Sequence, residues 1–224
     1  MAAFLAAFDW LAQADGVIQG TAALLLAMSV ASWAVILFQS RLLWRARREL
    51  APAVAAFWQA GSLAAAAERA RPLDSLALVT PLAQAALQAT RPATDGALHT
   101  QGALEVRLTR ALRGALAEAA ARLSWGQTLL ASVGATAPFV GLLGTVWGIY
   151  HALSALAGSG QVGVEQLAGP VGEALVMTAA GLAVAIPAVL AYNGLARAAG
   201  RVEARLEGFA RDLRALLAGS AGEE

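Results

Sequence analysis

Three windows of the chain, 17–38, 128–153 and 172–195, are each apolar over a longer run than a buried strand or an ordinary core helix needs. A hydrocarbon core about 30 Å thick takes roughly 20 helical residues per crossing. Inside it, only helices and closed barrels satisfy every backbone group. The windows therefore predict transmembrane helices at 17–40, 128–153 and 172–195. Composition agrees: 58% of the 224 residues are hydrophobic and 14% are charged, and mean hydropathy is +0.61, which suits a bilayer better than water. No basic side chain precedes the first window, and it is too long for the apolar part of a cleaved leader, so it is expected to persist as a helix.

Charge placement orients these helices. All sixteen basic residues are arginines; eleven lie between Arg41 and Arg122 and five between Arg197 and Arg214. By the positive-inside rule, 41–127 and 196–224 are expected in the cytoplasm, and 1–16 and 154–171 are expected to face outward. Arg41, Arg45 and Arg48 recur at helical spacing around Trp44, a pattern that suits anchoring against anionic phospholipid headgroups. Nothing else in the chain supports nucleic-acid binding. The absence of cysteine excludes disulfides, thiolate ligands and cysteine nucleophiles. With only His99 and His151 as imidazoles, a metal centre is poorly supplied, and no cofactor is expected. No nucleophile, base and orienting group stand together at useful spacing, so an enzyme is not expected.

Between the spans the pattern stays helical. Phe4, Leu5, Phe8 and Leu11 form a stripe that fits either an interfacial helix anchored by Trp10 or an unordered tail. The alanine-rich stretch 49–90 reads as short helices interrupted at Pro52, Gly61, Pro72 and Pro81, and 90–96 reads as a turn. Leu104, Leu108, Leu112, Leu116 and Leu123 keep helical spacing, and neither Gly114 nor Gly126 is by itself a stop. One helix of about 50 residues, roughly 75 Å long, is expected to enter the second span. Val202, Leu206, Phe209, Leu213 and Leu216 extend the third span in the same way, and the two extensions are expected to pack as a cytoplasmic bundle. The fold class is an all-α membrane protein with three spans and long cytoplasmic helical extensions.

Within the second span, Gly134, Ala137, Gly141, Gly144, Gly148 and Ala152 fall on one helical face; the third repeats the device at Ala174, Thr178, Gly181, Ala185 and Ala188. In lipid, where apolar contact between helices gains little over contact with acyl chains, small residues let backbones approach and gain dispersion contacts. Pro138 and Pro187 each remove an internal hydrogen bond, which predicts a bend or a freed carbonyl. Thr145 and Thr178 can bond to a neighbouring helix, face a lumen, or bond back to their own helix.

Glu173 heads the third apolar window, and two placements fit its spacing. It can sit in the first turn of a helix beginning near 172, favoured by the macrodipole and wetted at the interface. If the helix begins near Gln166 or Leu167, it can instead point into an enclosed space where desolvation makes it titratable near neutral pH. On an ideal helix, Thr178 lies about 140° around from it, so the two do not share a face.

ATAPFVGLLGTVWGIYHAL followed by AGPVGEALVMTAAGLAVAIPAVLAYN resembles the two-part motif of the MotA/TolQ/ExbB proton-channel family, most of all its Ton-system branch. The likeness runs over about 125–200, with a weaker echo in SVASWAVI. It implies a pentameric helical channel in the bacterial inner membrane, its lumen holding transmembrane helices of ExbD, that uses the proton motive force to drive TonB. By motif position it implies that Glu173, Thr145 and Thr178 line the proton pathway, with Pro138 and the glycines as packing elements. Leu143 stands where relatives commonly carry Phe. The Tol-system branch shares fold and polar positions and is the nearest alternative; a passive membrane scaffold is another.

Overall fold

The computed structural model describes residues 15–91, 102–157 and 164–219, without the side chains of 155–157, 164–168, 170 and 173. The N-terminal stripe and nearly all of the turn expected at 90–96 lie outside these residues. Among them the regular structure is entirely helical: α1 Gly16–Trp58, α2 Leu63–Ala70, a 3-10 turn Arg71–Leu73, α3 Thr80–Thr90, α4 Leu104–Leu123, α5 Gln127–Ala157 and α6 Val164–Gly219. Helices α1, α5 and α6 are each long and apolar enough to cross a membrane. Only 22–33% of their most apolar windows is buried within the chain, which leaves wide apolar faces for lipid or other subunits.

The chain divides into two compact units, one of residues 1–37 and 126–194, the other of 38–125 and 195–224. The second unit has the core of a soluble helical bundle. Leu43, Leu50 and Phe57 of α1, Leu108 and Leu112 of α4, and Val202, Leu206, Phe209 and Leu213 of α6 are buried there. Those of α4 and α6 belong to the predicted stripes, although Leu216 ends up exposed, whereas the α1 residues were not anticipated. Each such side chain removed from water contributes roughly 1.5–3 kcal/mol. Phe57 and Phe209 meet edge-to-face with centroids 4.9 Å apart, and Trp58 joins them at 5.8 Å from Phe209, the arrangement that aromatic quadrupoles favour.

Polar groups pin the short helices. Asp74, though buried, accepts hydrogen bonds from the amides of Leu78, Val79 and Thr80 at 2.7–2.9 Å and so supplies α3 with its missing N-terminal acceptors. Next to it, Ser75 donates from its amide to Glu49 at 3.1 Å, shares a 2.6 Å contact through its hydroxyl, and receives a bond from Arg45 at 2.7 Å. This network ties the turn after the 3-10 segment to α1.

Two expectations are corrected. Helix α1 does not stop at Pro52 but continues to Trp58. Proline costs a helix interior about 3 kcal/mol, and here the adjacent Ala53 and Phe57 are buried in the bundle, so tertiary packing overrides local preference. Conversely, the single long helix expected from Gly102 into the second span is broken at Ser124–Gly126. Gly126 has φ +78°, a left-handed conformation, and a Cβ there would lie 2.6 Å from Val35 Cγ1. The Ser124 amide and hydroxyl both bond back to the Ala120 carbonyl at 2.9 Å. The buried amide of Gln39 donates to the Leu123 carbonyl, satisfying a group the helix end leaves orphaned.

Candidate functional site

The first unit is organised by a seam between α5 and α6. Its centre is Gly141 against Gly181. A Cβ on Gly141 would lie 2.6 Å from the Met177 carbonyl oxygen and 3.1 Å from Gly181 Cα; a Cβ on Gly181 would lie 2.6 Å from the Ala137 oxygen and 3.1 Å from Gly141 Cα. Backbone touches backbone, and only glycine fits on both sides. Along the same face, Gly134 receives the side chain of Val189, Gly144 leaves room for the Met177 side chain at 3.1 Å, and Gly148 faces Ala174 Cβ at 3.0 Å. The small-residue face read from sequence is therefore in close contact with the corresponding face of α6.

Thr145, one turn beyond Gly141, is only 6% exposed. Its hydroxyl lies 3.2 Å from the Gly141 carbonyl of its own helix, 3.1 Å from the Ala174 carbonyl of α6, and 2.6 Å from the Thr178 hydroxyl. One proton faces three acceptors, so the pair has interchangeable states. Either Thr145 donates to a carbonyl and accepts from Thr178, or it donates to Thr178. Two hydroxyls that can exchange donor and acceptor roles at low cost form a short polar path through an apolar contact.

The backbone of Glu173 immediately precedes Ala174. Helix α6 begins at Val164, nine residues earlier, so Glu173 stands in the third turn rather than the first. Of the two helix starts that the spacing allowed, the structure has the earlier one; the carboxylate itself lies outside the described residues. The stretch drawn as the 154–171 connection is helical at both ends, since α5 runs to Ala157 and α6 starts at Val164. Pro138 and Pro187 lie inside α5 and α6, whose helical assignment continues through both. Arg41, Arg45 and Arg48 are exposed; Arg45 pairs with Glu49 at 3.4 Å, and the Arg48 guanidinium lies 5.4 Å from the centre of the Trp44 ring.

One element escaped sequence reasoning. Asp15, just ahead of α1, accepts a 2.5 Å hydrogen bond from the indole Nε1 of Trp147. A capping-type acid before an apolar run is a recognisable helix start, but its partner 132 residues away is not. The Trp147 bond, helped by the Gly16 amide and His151, holds the Asp15 carboxyl below the usual carboxylate range against the opposing effect of burial.

The MotA/TolQ/ExbB proton channel family model matches residues 76–208, which include Thr145, Glu173 and Thr178. The chain belongs to this family. Two MotA/TolQ/ExbB relatives are biopolymer transport proteins ExbB: that of Neisseria meningitidis serogroup B is 44% identical over 202 residues, covering 89% of this chain and 91% of the relative. That of Xanthomonas campestris pv. campestris is 42% identical over 197 residues, covering 84% and 77%. The Tol-Pal system protein TolQ of Haemophilus influenzae is more distant, at 32% identity over 212 residues, covering 91% and 90%. Membership in a family of proton channels, together with three candidate spans, makes this a bacterial inner-membrane protein.

Proposed function

We propose that this chain is an ExbB-type stator subunit that works with ExbD to let the proton motive force energise TonB-dependent import across the outer membrane. The observation that carries the reading is the hydroxyl pair Thr145–Thr178, 2.6 Å apart inside a backbone-to-backbone seam. It falls within a chain 44% identical to ExbB over most of its length.

In this reading five copies surround the ExbD helices, and the apolar faces left bare on α1, α5 and α6 meet lipid and neighbouring subunits. The arginine distribution supports a periplasmic N-terminus and cytoplasmic C-terminus, with Arg41, Arg45 and Arg48 near anionic headgroups. Glu173 binds and releases the proton, and the threonine pair supplies the adjoining polar lining. Moving one charge through 100 mV releases about 2.3 kcal/mol, enough to bias rotation between the pentamer and its central helices. The acidic acceptor on those central helices belongs to the partner, so the chain alone is an incomplete motor.

The test is complementation. In a strain lacking its own ExbB, co-expression with the matching ExbD and TonB is expected to restore siderophore-dependent growth, and Glu173→Gln and Glu173→Ala to abolish it while the assembly still forms. Full activity in both variants would reduce the chain to a passive scaffold. Rescue only of a strain lacking TolQ, read as restored envelope integrity, would move it to the Tol system.

A further inference from the structure

At the Gly148 end of the seam, the first turn of α1 closes onto the other two helices. A Cβ on Gly148 would lie 3.0 Å from Ala174 Cβ and 3.7 Å from Ile18 Cδ1. The three helices therefore meet within one turn of Thr145, whose hydroxyl already reaches the Ala174 carbonyl. Here Asp15 accepts from Trp147 Nε1 on Oδ2 at 2.5 Å and from the Gly16 amide on Oδ1 at 2.8 Å. Trp147 stands two residues from Thr145, and its ring packs tilted against Tyr150 with centroids 5.8 Å apart.

This bond differs in kind from the rest of the seam. The glycine contacts set the register of α5 against α6, but in lipid little net force holds the apolar first turn of α1 against them, and two hydroxyls 2.6 Å apart lose their contact if the helices beside them drift by about an ångström. An ionised acceptor makes a hydrogen bond roughly twice as strong as a neutral one, and it is directional. Because its carboxyl is held below the usual range, Asp15 stays charged through neutral pH; it is a fixed acceptor and not a second titrating relay.

We propose that Asp15 is a positioning residue beside the Thr145–Thr178 pair: by clamping the Trp147 indole it holds the first turn of α1 against α5 at the Gly148 end of the seam, where α6 also closes in at Ala174. The inference rests on the function proposed above for its effect on import, but not for its effect on geometry. The clamp tethers the first turn of α1 over the Gly148 end of the α5–α6 contact, within one turn of the two hydroxyls.

The experiment uses the full chain co-expressed with ExbD and TonB, as the parent, Asp15→Ala, Trp147→Phe and the double variant. Trp147→Phe deletes the donor and keeps an aromatic ring, so it stands in should Asp15→Ala fail to assemble. Import in each single variant is expected to fall about tenfold, the scale of one charge-assisted hydrogen bond, with no further loss in the double variant. The γ-methyl carbon resonances of Thr145 and Thr178 are expected to shift in Asp15→Ala, which alters no aromatic ring and so brings no ring-current change of its own. Parent-like import in both singles, or losses that multiply in the double, overturns the clamp and leaves the proposed function standing. If the parent itself supports no import, the function falls and the resonances decide alone: a shift upholds the clamp, and unchanged methyls overturn it.

Discussion

The two units of this chain solve the same problem, holding α6 against other helices, by opposite means. In the unit of residues 1–37 and 126–194, side chains are removed until Gly141 and Gly181 bring backbones together. In the unit of residues 38–125 and 195–224, side chains are added until Phe57, Trp58 and Phe209 interlock. The difference follows from solvent. Water drives apolar area together in proportion to its size, whereas acyl chains compete for apolar contact on nearly equal terms, so what remains to be gained is close approach and hydrogen bonding. A leucine that would stabilise the second unit would separate the helices of the first.

The largest test of that contrast is Gly141→Leu. The new side chain meets the Met177 carbonyl and the Gly181 Cα, neither of which can rotate away, and the expected cost exceeds about 3 kcal/mol, above the usual range for overpacking. Loss of the assembled state in detergent gel filtration and a collapsed thermal transition would show it. Gly144→Ala provides the graded comparison: its nearest atoms are Met177 Cβ, Cε and Cγ at 3.1–3.2 Å, of which Cγ and Cε can rotate away while Cβ is fixed to the backbone, so a smaller loss of about 1 kcal/mol is expected there. Comparable damage from both would mean that backbone contact is not what makes Gly141 special.

Next in size is Phe209→Ala in the second unit, with an expected loss of about 3–5 kcal/mol from deleting a buried aromatic. Denaturant melting read by tryptophan fluorescence would measure it, and the seam is expected to keep its geometry. A loss under about 1 kcal/mol would deny the second unit a soluble-type core. The smallest effect is a gain. Gly200 lies in α6 with nothing within 4 Å of an added Cβ, so Gly200→Ala is expected to stabilise by about 0.5–1 kcal/mol through helix propensity alone. A destabilisation there would expose a packing contact at that position.

Much of the second unit was legible before any coordinates. The spacing of Leu108, Leu112, Val202, Leu206, Phe209 and Leu213 marks the faces that are buried, because helical periodicity and water together decide which side turns inward. The start and stop of helices were less legible. Pro52 continues a helix and Gly126 ends one, and both outcomes depend on neighbours distant in sequence: the bundle that buries Phe57, and the Val35 side chain that leaves no room at Gly126. The candidate site was half legible. Small residues at three- and four-residue spacing announced a contact face, and Thr145 and Thr178 stood out as its polar members, but the same spacing equally allowed each threonine to bond only to its own helix.

By itself the sequence determined what is local: three runs too apolar for water, arginines confined to the segments between and after them, and one small-residue face on each of the last two spans. The tertiary structure alone decided who meets whom. That Gly141 touches Gly181, that the Thr145 hydroxyl reaches Thr178, that Gln39 closes the end of α4 and that Asp15 grips Trp147 each requires a register between segments 33 to 132 residues apart. Periodicity repeats along a helix and so specifies a face but not a height. Height is set only when backbones collide at the glycines and polar atoms come within reach of their partners.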